Sequence, residues 1–210
     1  VENVVKVLSF YHPDDSAESL SARLLPRLKA MLAKAQISPD KITLVSTGDA
    51  TGLYTGVVDV ASGLITSSVL AARQAGHPVN IIYPDDYGVH FYSTTIYAAD
   101  DYITSNPDLV TRFLRATLDG WAYAVEDPQS IGAMVARYNP DANVAFESAS
   151  MLASVPYVNT GEDHIGWMKS DIWAGMLQTM RADGEVTTPL NISDVYTMQF
   201  LQQIYGENHS

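Results

Sequence analysis

The sequence predicts an α/β fold with a mainly parallel sheet flanked by helices, followed by a largely helical C-terminal part. Up to position 88, short runs rich in β-branched residues alternate with helical patterns, which is typical of right-handed βαβ units. From Ala99 onward, helical patterns follow one another without a further strong strand. With 210 residues, of which 47% are hydrophobic, the chain is long enough to bury a core.

The N-terminal part of the chain contains four predicted strands. They lie at 4–10, 38–47, 59–65 and 77–83. The first helix between them, at 17–35, is predicted to kink at Pro26 and places one apolar face toward the core: Leu20, Leu24, Leu28, Met31 and Leu32. A short helix follows at 48–58, and another at 66–76 is closed by Gly76.

The chain changes character after Gly88, where one more strand-like run at 89–98 precedes a series of helices. Asn106 and Pro107 start a long amphipathic helix, and Asp127 and Pro128 start the next one. Further helices are predicted at 145–154, 169–183 and 193–205. The long helix carries an aromatic stripe of Phe113, Trp121 and Tyr123, and we expect Phe113 to lie in the core.

Composition excludes several classes of protein. With 24 acidic and 12 basic residues, the formal charge of -12 repels phosphate backbones, so nucleic acid is not a predicted partner. The chain has no cysteine, which excludes disulfides and thiolate metal sites. No apolar run approaches the ~18 residues of a membrane span, and because the sequence opens at Val1 without a signal peptide, we expect a trimmed N-terminus.

The loops that follow the strands are the predicted ligand-binding region, because ligands of such sheets sit beyond the carboxyl ends of the strands. We expect one of Asp14, Asp15 and Ser16 to cap the helix that follows, which leaves the neighbouring side chains to face a ligand. The predicted ligand-binding residues are Tyr11, His12, Asp15, Thr47, Asp49, Ser62, Asp86 and Tyr87.

The stretch "IIYPDDYGVHFY" places Asp85, Asp86 and His90 within six residues. These groups suit a metal site, an acid/base pair or a turn with carboxylates that contact a ligand. We favour the turn, because Asp is a routine turn residue. No hydrolase, zinc-protease or dinucleotide motif occurs in the chain, so we predict no catalytic residue, no metal ion and no cofactor.

Several segments carry a resemblance to a known family: "VDVAS", "NIIYPDDYGV", "TIYAADDYITSNPDLVTRFLRATLDGWAYAVEDP", "GWMKSDIWAGMLQTM" and "YTMQFLQQIYG". Together they resemble the NMT1/THI5-like solute-binding proteins of bacterial ABC importers, which are relatives of the thiamine-pyrimidine, riboflavin and alkanesulfonate receptors. The resemblance implies a periplasmic-binding-protein-like fold of type II, in which two lobes clamp a solute.

The resemblance also implies how the chain is organised. Residues 1–88 correspond to the second α/β lobe, and residues 89–210 correspond to the return strand and the helices of a first lobe that lacks its N-terminal part. We expect homodimerisation through that incomplete lobe. The implied setting is periplasmic, or anchored to the membrane outside the cytoplasm, with an ABC permease as partner.

The ligand class follows from charge, because the candidate loops carry Asp residues but neither Lys nor Arg. We therefore expect a small neutral N-heteroaromatic, such as a thiamine-type pyrimidine or a flavin, with Tyr11 or Tyr87 stacking on its ring. One alternative is a pyrimidine-synthesising enzyme of the THI5 type, which needs a lysine for pyridoxal phosphate and a reactive histidine. The second alternative is a shortened sensor or adaptor domain.

Overall fold

The computed structural model describes residues 5–10, 27–47, 51–161 and 163–206. The chain divides into two compact units. The first contains the described residues up to Phe91 together with Asp171–Pro189, and the second contains Tyr92–Ser170 and the residues from Leu190 onward. The helix predicted at 17–35 is present over residues 27–34, whereas its earlier part and the predicted kink at Pro26 lie outside the described residues.

The first unit contains a three-stranded parallel sheet in the order β2-β1-β3. Its strands are β1 (Val5–Phe10), β2 (Ile42–Thr47) and β3 (Val60–Ala61), which confirms the first three predicted strands. In the register, Phe10 pairs with Thr47 and Leu8 with Ala61. Because all three strands run in the same direction, their carboxyl ends meet at one edge of the sheet.

The helices of this unit are α1 (residues 27–34), α2 (Thr51–Tyr54), α3 (Leu70–Gln74) and α8 (Ser170–Ala182). A π-helical turn at Ile65–Val69 leads into α3. Gly76 adopts a positive φ of 82°, as predicted for the residue that closes this helix. An ion pair of 2.6 Å joins Lys29 of α1 to Asp183, directly after α8.

Two further strands predicted at 77–83 and 89–98 form no ladder in the structure, and they stay predictions. Between these segments the chain makes a 3-10 turn at Pro84–Tyr87. Gly88 closes the turn with a φ of 67°, a conformation that side chains with a Cβ rarely adopt. The turn predicted from "PDDYG" is therefore present.

The second unit is built from helices, as the sequence predicts. They are α4 (Asp100–Ser105), α5 (Pro107–Glu126), α6 (Ile131–Tyr138), α7 (Val144–Val158) and α9 (Gln199–Tyr205). Pro107 occupies the first turn of α5, where a missing N–H costs nothing. The side chain of Asn143 caps α7 by accepting a hydrogen bond of 3.1 Å from the N–H of Phe146.

The core of the second unit lies where α5, α7 and α9 pack, and it includes Leu118, Met151, Phe200 and Leu201. The prediction that Phe113 lies in the core is wrong, because its side chain is 57% exposed. The buried positions of α5 are instead Thr111, Leu118 and Ala124. None of the described helices is both long and apolar enough to cross a membrane.

Candidate functional site

The carboxyl edge of the sheet brings two predicted ligand-binding positions to the same place. Thr47 ends β2 opposite the last residue of β1, and Ser62 directly follows β3 on the other side of β1. The side chain of Ser62 is half-buried. Four other predicted residues of this edge lie outside the described residues: Tyr11, His12, Asp15 and Asp49.

The turn at Pro84–Tyr87 carries the other two predicted residues, Asp86 and Tyr87, and both side chains are exposed. Backbone hydrogen bonds from the N–H of Gly88 to Asp85 and from the N–H of Val89 to Pro84 hold this turn at 2.9 and 3.1 Å. These hydrogen bonds define the backbone conformation from which the side chains of Asp86 and Tyr87 extend. Whether they converge with Thr47 and Ser62 on one ligand stays a prediction.

Asp85 and His90, which the sequence singles out together with Asp86, contact each other through the Asp85 carboxylate and His90 Nδ1. Because a carboxylate accepts hydrogen bonds, this contact places the proton of a neutral imidazole on Nδ1 and leaves Nε2 as an acceptor. Both side chains remain accessible, at 74% for Asp85 and 48% for His90. The pair therefore orients an imidazole at the surface.

A cleft of about 140 Å³ lies beside this imidazole, between the segment that follows the turn and helix α8. Its lining residues are Gly88, His90, Asp171, Ile172, Gly175 and Thr179, all within the first unit. Asp171 Oδ1 accepts a hydrogen bond of 2.9 Å from the N–H of Ile172. The Thr179 hydroxyl donates one of 3.0 Å to the carbonyl oxygen of Gly175.

Sequence reasoning missed the α8 side of this cleft, although the sequence contains a signal for it. Asp171, Gly175 and Thr179 recur at every fourth position, which places them on one face of a helix. The sequence groups His90 with Asp85 and Asp86, whereas the structure also brings it beside α8.

A second concavity of about 400 Å³ lies at the end of α3 and is lined by Arg73, Gly76, Pro78 and Val79. It is wide open to solvent. Beside it, the rings of Tyr54 and His77 stack with centroids 4.1 Å apart. Four lining residues in an open groove cannot enclose a solute, so we do not regard this surface as the primary site.

Within the described ranges, no three His, Cys, Asp or Glu side chains are grouped so that they could hold a metal ion. Two of the lysines form ion pairs with carboxylates. Lys29 contacts Asp183 at 2.6 Å, and Lys169 contacts Asp163 at 2.7 Å. Neither lysine lines the cleft beside α8, whose lining residues include no Lys and no Arg.

Comparison with known proteins finds a family and two informative relatives. The family described as NMT1/THI5 like matches residues 21–131. A riboflavin-binding protein, RibY, from Chloroflexus aurantiacus is 23% identical over 195 residues, which is 90% of this chain and 54% of the relative. A formylaminopyrimidine-binding protein from Halalkalibacterium halodurans is 21% identical over 180 residues, which is 82% of this chain and 54% of the relative. The chain therefore spans about half the length of these relatives.

Proposed function

Because the chain belongs to the NMT1/THI5-like family, we propose that it is the solute-binding part of an ABC importer's receptor. Its solute is a small neutral N-heteroaromatic, either a flavin or a thiamine-type pyrimidine. The observation that carries this proposal is the family match together with two relatives whose names specify riboflavin and a formylaminopyrimidine. The proposed partner is a membrane permease, and the proposed location is outside the cytoplasm.

Charge supports a neutral solute. The candidate loops contain Asp14, Asp15, Asp49, Asp85 and Asp86, and they contain neither Lys nor Arg. Burying an anion beside carboxylates without a counter-charge costs several kcal/mol. A neutral ring avoids this cost and gains free energy from the apolar area that it removes from water.

The chemistry of recognition follows from the residue types at the predicted site. A tyrosine ring, from Tyr11 or Tyr87, stacks on the heteroaromatic face. The Asp86 carboxylate accepts a hydrogen bond from a ring N–H, and charge-assisted bonds of this kind are stronger than neutral ones. Thr47 and Ser62, whose backbones lie at the carboxyl edge of the sheet, are the proposed source of further hydrogen bonds to the ring.

The enzyme alternative requires a lysine that forms a Schiff base with pyridoxal phosphate. Lys29 and Lys169 contact the carboxylates of Asp183 and Asp163, and neither lines the cleft beside α8. The two relatives are also named as binding proteins rather than enzymes. If the chain is a receptor, adding pyridoxal phosphate produces no lysine-dependent visible absorption band, whereas a band that borohydride removes would favour the enzyme.

Calorimetric titration of the full chain tests the proposed function. We expect binding of riboflavin or of a neutral aminopyrimidine, and little binding of taurine or nitrate. Asp86→Asn should weaken the binding that is observed by about 1 to 3 kcal/mol, since it removes a charged acceptor. Asp141→Asn, which changes an exposed turn carboxylate of the second unit, is the matched control. Tighter binding of a sulfonate than of either heteroaromatic would contradict the proposal.

A further inference from the structure

One face of helix α5 is largely apolar and yet exposed to solvent. Its residues are spaced alternately by four and three positions, which is the spacing of a coiled-coil seam. We call this face the α5 seam, and it consists of Leu109, Phe113, Ala116, Gly120 and Tyr123. All five residues are exposed, and the side chain of Phe113 reaches 57%. The other face of α5 carries the buried residues Thr111 and Leu118 and packs within the second unit.

The α5 seam is complementary in shape to a second copy of itself. In one antiparallel register, Leu109 lies opposite Gly120 of the partner subunit, and Phe113 lies opposite Ala116 of the partner subunit. A twofold axis repeats both contacts, so each layer of the seam places a large side chain against a small residue. A Cβ added at Gly120 would meet nothing within 4 Å, so the space that an incoming leucine needs is open.

The charges beside the α5 seam select the same register. Arg112 and Asp119 each precede a seam residue by one position, and both are exposed. In this register Arg112 meets Asp119 of the partner subunit, and the twofold axis repeats the ion pair. A shift by one heptad would instead bring two copies of Asp119 together, and a parallel arrangement would pair neither charge. Charge complementarity therefore favours a second copy of this chain as the occupant.

We infer that the α5 seam is a homodimer interface in which two copies of α5 pair antiparallel about a twofold axis. The inference is independent of the proposed solute, because the seam belongs to the second unit and none of its residues lines the cleft beside α8. One helix face is smaller than the roughly 800 Å² per partner of a standard interface. The formal charge of -12 on each chain also opposes association, so we expect a dissociation constant in the micromolar range.

Analytical ultracentrifugation of the full chain over a series of micromolar concentrations tests the inference. We expect the mass to rise toward twice that of one chain as the concentration increases. Phe113→Ala removes the largest side chain between the two helices and should raise the dissociation constant at least tenfold. Tyr138→Ala is the matched control, because it removes an aromatic ring that is 91% exposed on α6, outside the seam. Its dissociation constant should stay within twofold of wild type.

Charge reversal tests the register. Arg112→Asp and Asp119→Arg each place like charges across the twofold axis, and each should raise the dissociation constant at least tenfold. The double variant exchanges the two charges and restores both ion pairs, so its dissociation constant should return to within threefold of wild type. Arg115→Asp makes the same change of charge on an exposed part of α5 that does not flank the seam, and it should stay within twofold. Circular dichroism of each variant verifies folding.

A spin label measures the orientation of the two helices. The chain has no cysteine, so Ala122→Cys supplies a single attachment point, at an exposed position of α5 outside the seam. In the proposed register this position lies opposite Pro107 of the partner subunit, which separates the two labels by about 22 Å along the helix axis. A parallel pair would bring the labels to within about one helix diameter, ~10 Å. Pulsed electron paramagnetic resonance distinguishes these distances.

Each contrary result has a definite meaning. A chain that stays monomeric at the highest concentration it tolerates would overturn the inference. A dimer whose dissociation constant is unchanged in both Phe113→Ala and Arg112→Asp would also overturn it, because the interface would then lie elsewhere. A double variant that dimerises no better than either single variant, or labels that lie side by side, would contradict the antiparallel register. These outcomes leave the proposed receptor function to its own titration.

Discussion

Gly132→Ala tests how closely α6 and α7 pack in the second unit. Gly132 is buried, and its N–H donates a hydrogen bond of 3.2 Å to Ser148 Oγ, which in turn donates one of 2.7 Å to the carbonyl oxygen of Gln129. A Cβ at position 132 would overlap the Val144 carbonyl oxygen and lie 2.5 Å from Ser148 Oγ. Atoms at such distances must move apart.

The size of the stability loss in Gly132→Ala depends on which atoms the added Cβ displaces. Overpacking a close contact costs about 1 to 3 kcal/mol, and the upper end applies because the Val144 oxygen belongs to a helix backbone and cannot rotate away. Displacing Ser148 also weakens a hydrogen bond worth about 1 kcal/mol. The higher helix propensity of alanine returns up to about 1 kcal/mol. We expect a net loss of about 3 kcal/mol in the free energy of unfolding.

Urea denaturation followed by circular dichroism measures this loss. Gly120→Ala is the control, because Gly120 lies in the middle of α5 and an added Cβ there meets nothing within 4 Å. That variant should gain about 0.5 to 1 kcal/mol, since glycine is unfavourable inside a helix. A Gly132→Ala protein as stable as wild type would refute the close packing of α6 against α7.

Two further predictions concern single contacts. The Tyr205 hydroxyl donates a hydrogen bond of 2.8 Å to the Ile165 carbonyl oxygen, so Tyr205→Phe should cost about 1 kcal/mol in urea denaturation near neutral pH. Burial and the nearby Asp119 raise the pKa of Tyr205 above 10.0. The stabilisation by the tyrosine hydroxyl is therefore complete below pH 10.0 and is lost as the pH rises through the raised pKa. A difference in stability between wild type and Tyr205→Phe that does not change with pH would contradict this prediction. Lys29→Met should lower the free energy of unfolding by about 1 to 2 kcal/mol, because it leaves the Asp183 carboxylate, which is only 13% exposed, without its partner. An unchanged urea midpoint would show that the ion pair contributes nothing to stability.

The sequence predicts the local elements of this chain well, because each has a short-range cause. β1, β2 and β3 follow from runs of β-branched residues. The start of α5 follows from an Asn-Pro pair, and the end of the helical segment at 65–74 follows from Gly76. Each of these signals acts within a few residues.

Sequence patterns predict less about the site and the core, because both depend on contacts between distant segments. The cleft joins His90 to Asp171 and Gly175, which lie about eighty positions further along the chain, and no local pattern encodes that proximity. Phe113 shows the same limit within one helix. The periodicity of α5 identifies apolar positions, but the partner elements decide which of them are buried, and these cover Leu118 rather than Phe113.

Competition in one solution tests the central claim most directly. The full chain is incubated with equal concentrations of riboflavin, 4-amino-2-methylpyrimidine, taurine and nitrate, and native mass spectrometry then identifies the bound species by mass. We expect a complex with one neutral heteroaromatic molecule per chain and no complex with either anion. A protein that carries taurine or nitrate, or that remains unliganded in this mixture, would contradict the proposed receptor for neutral heteroaromatic solutes.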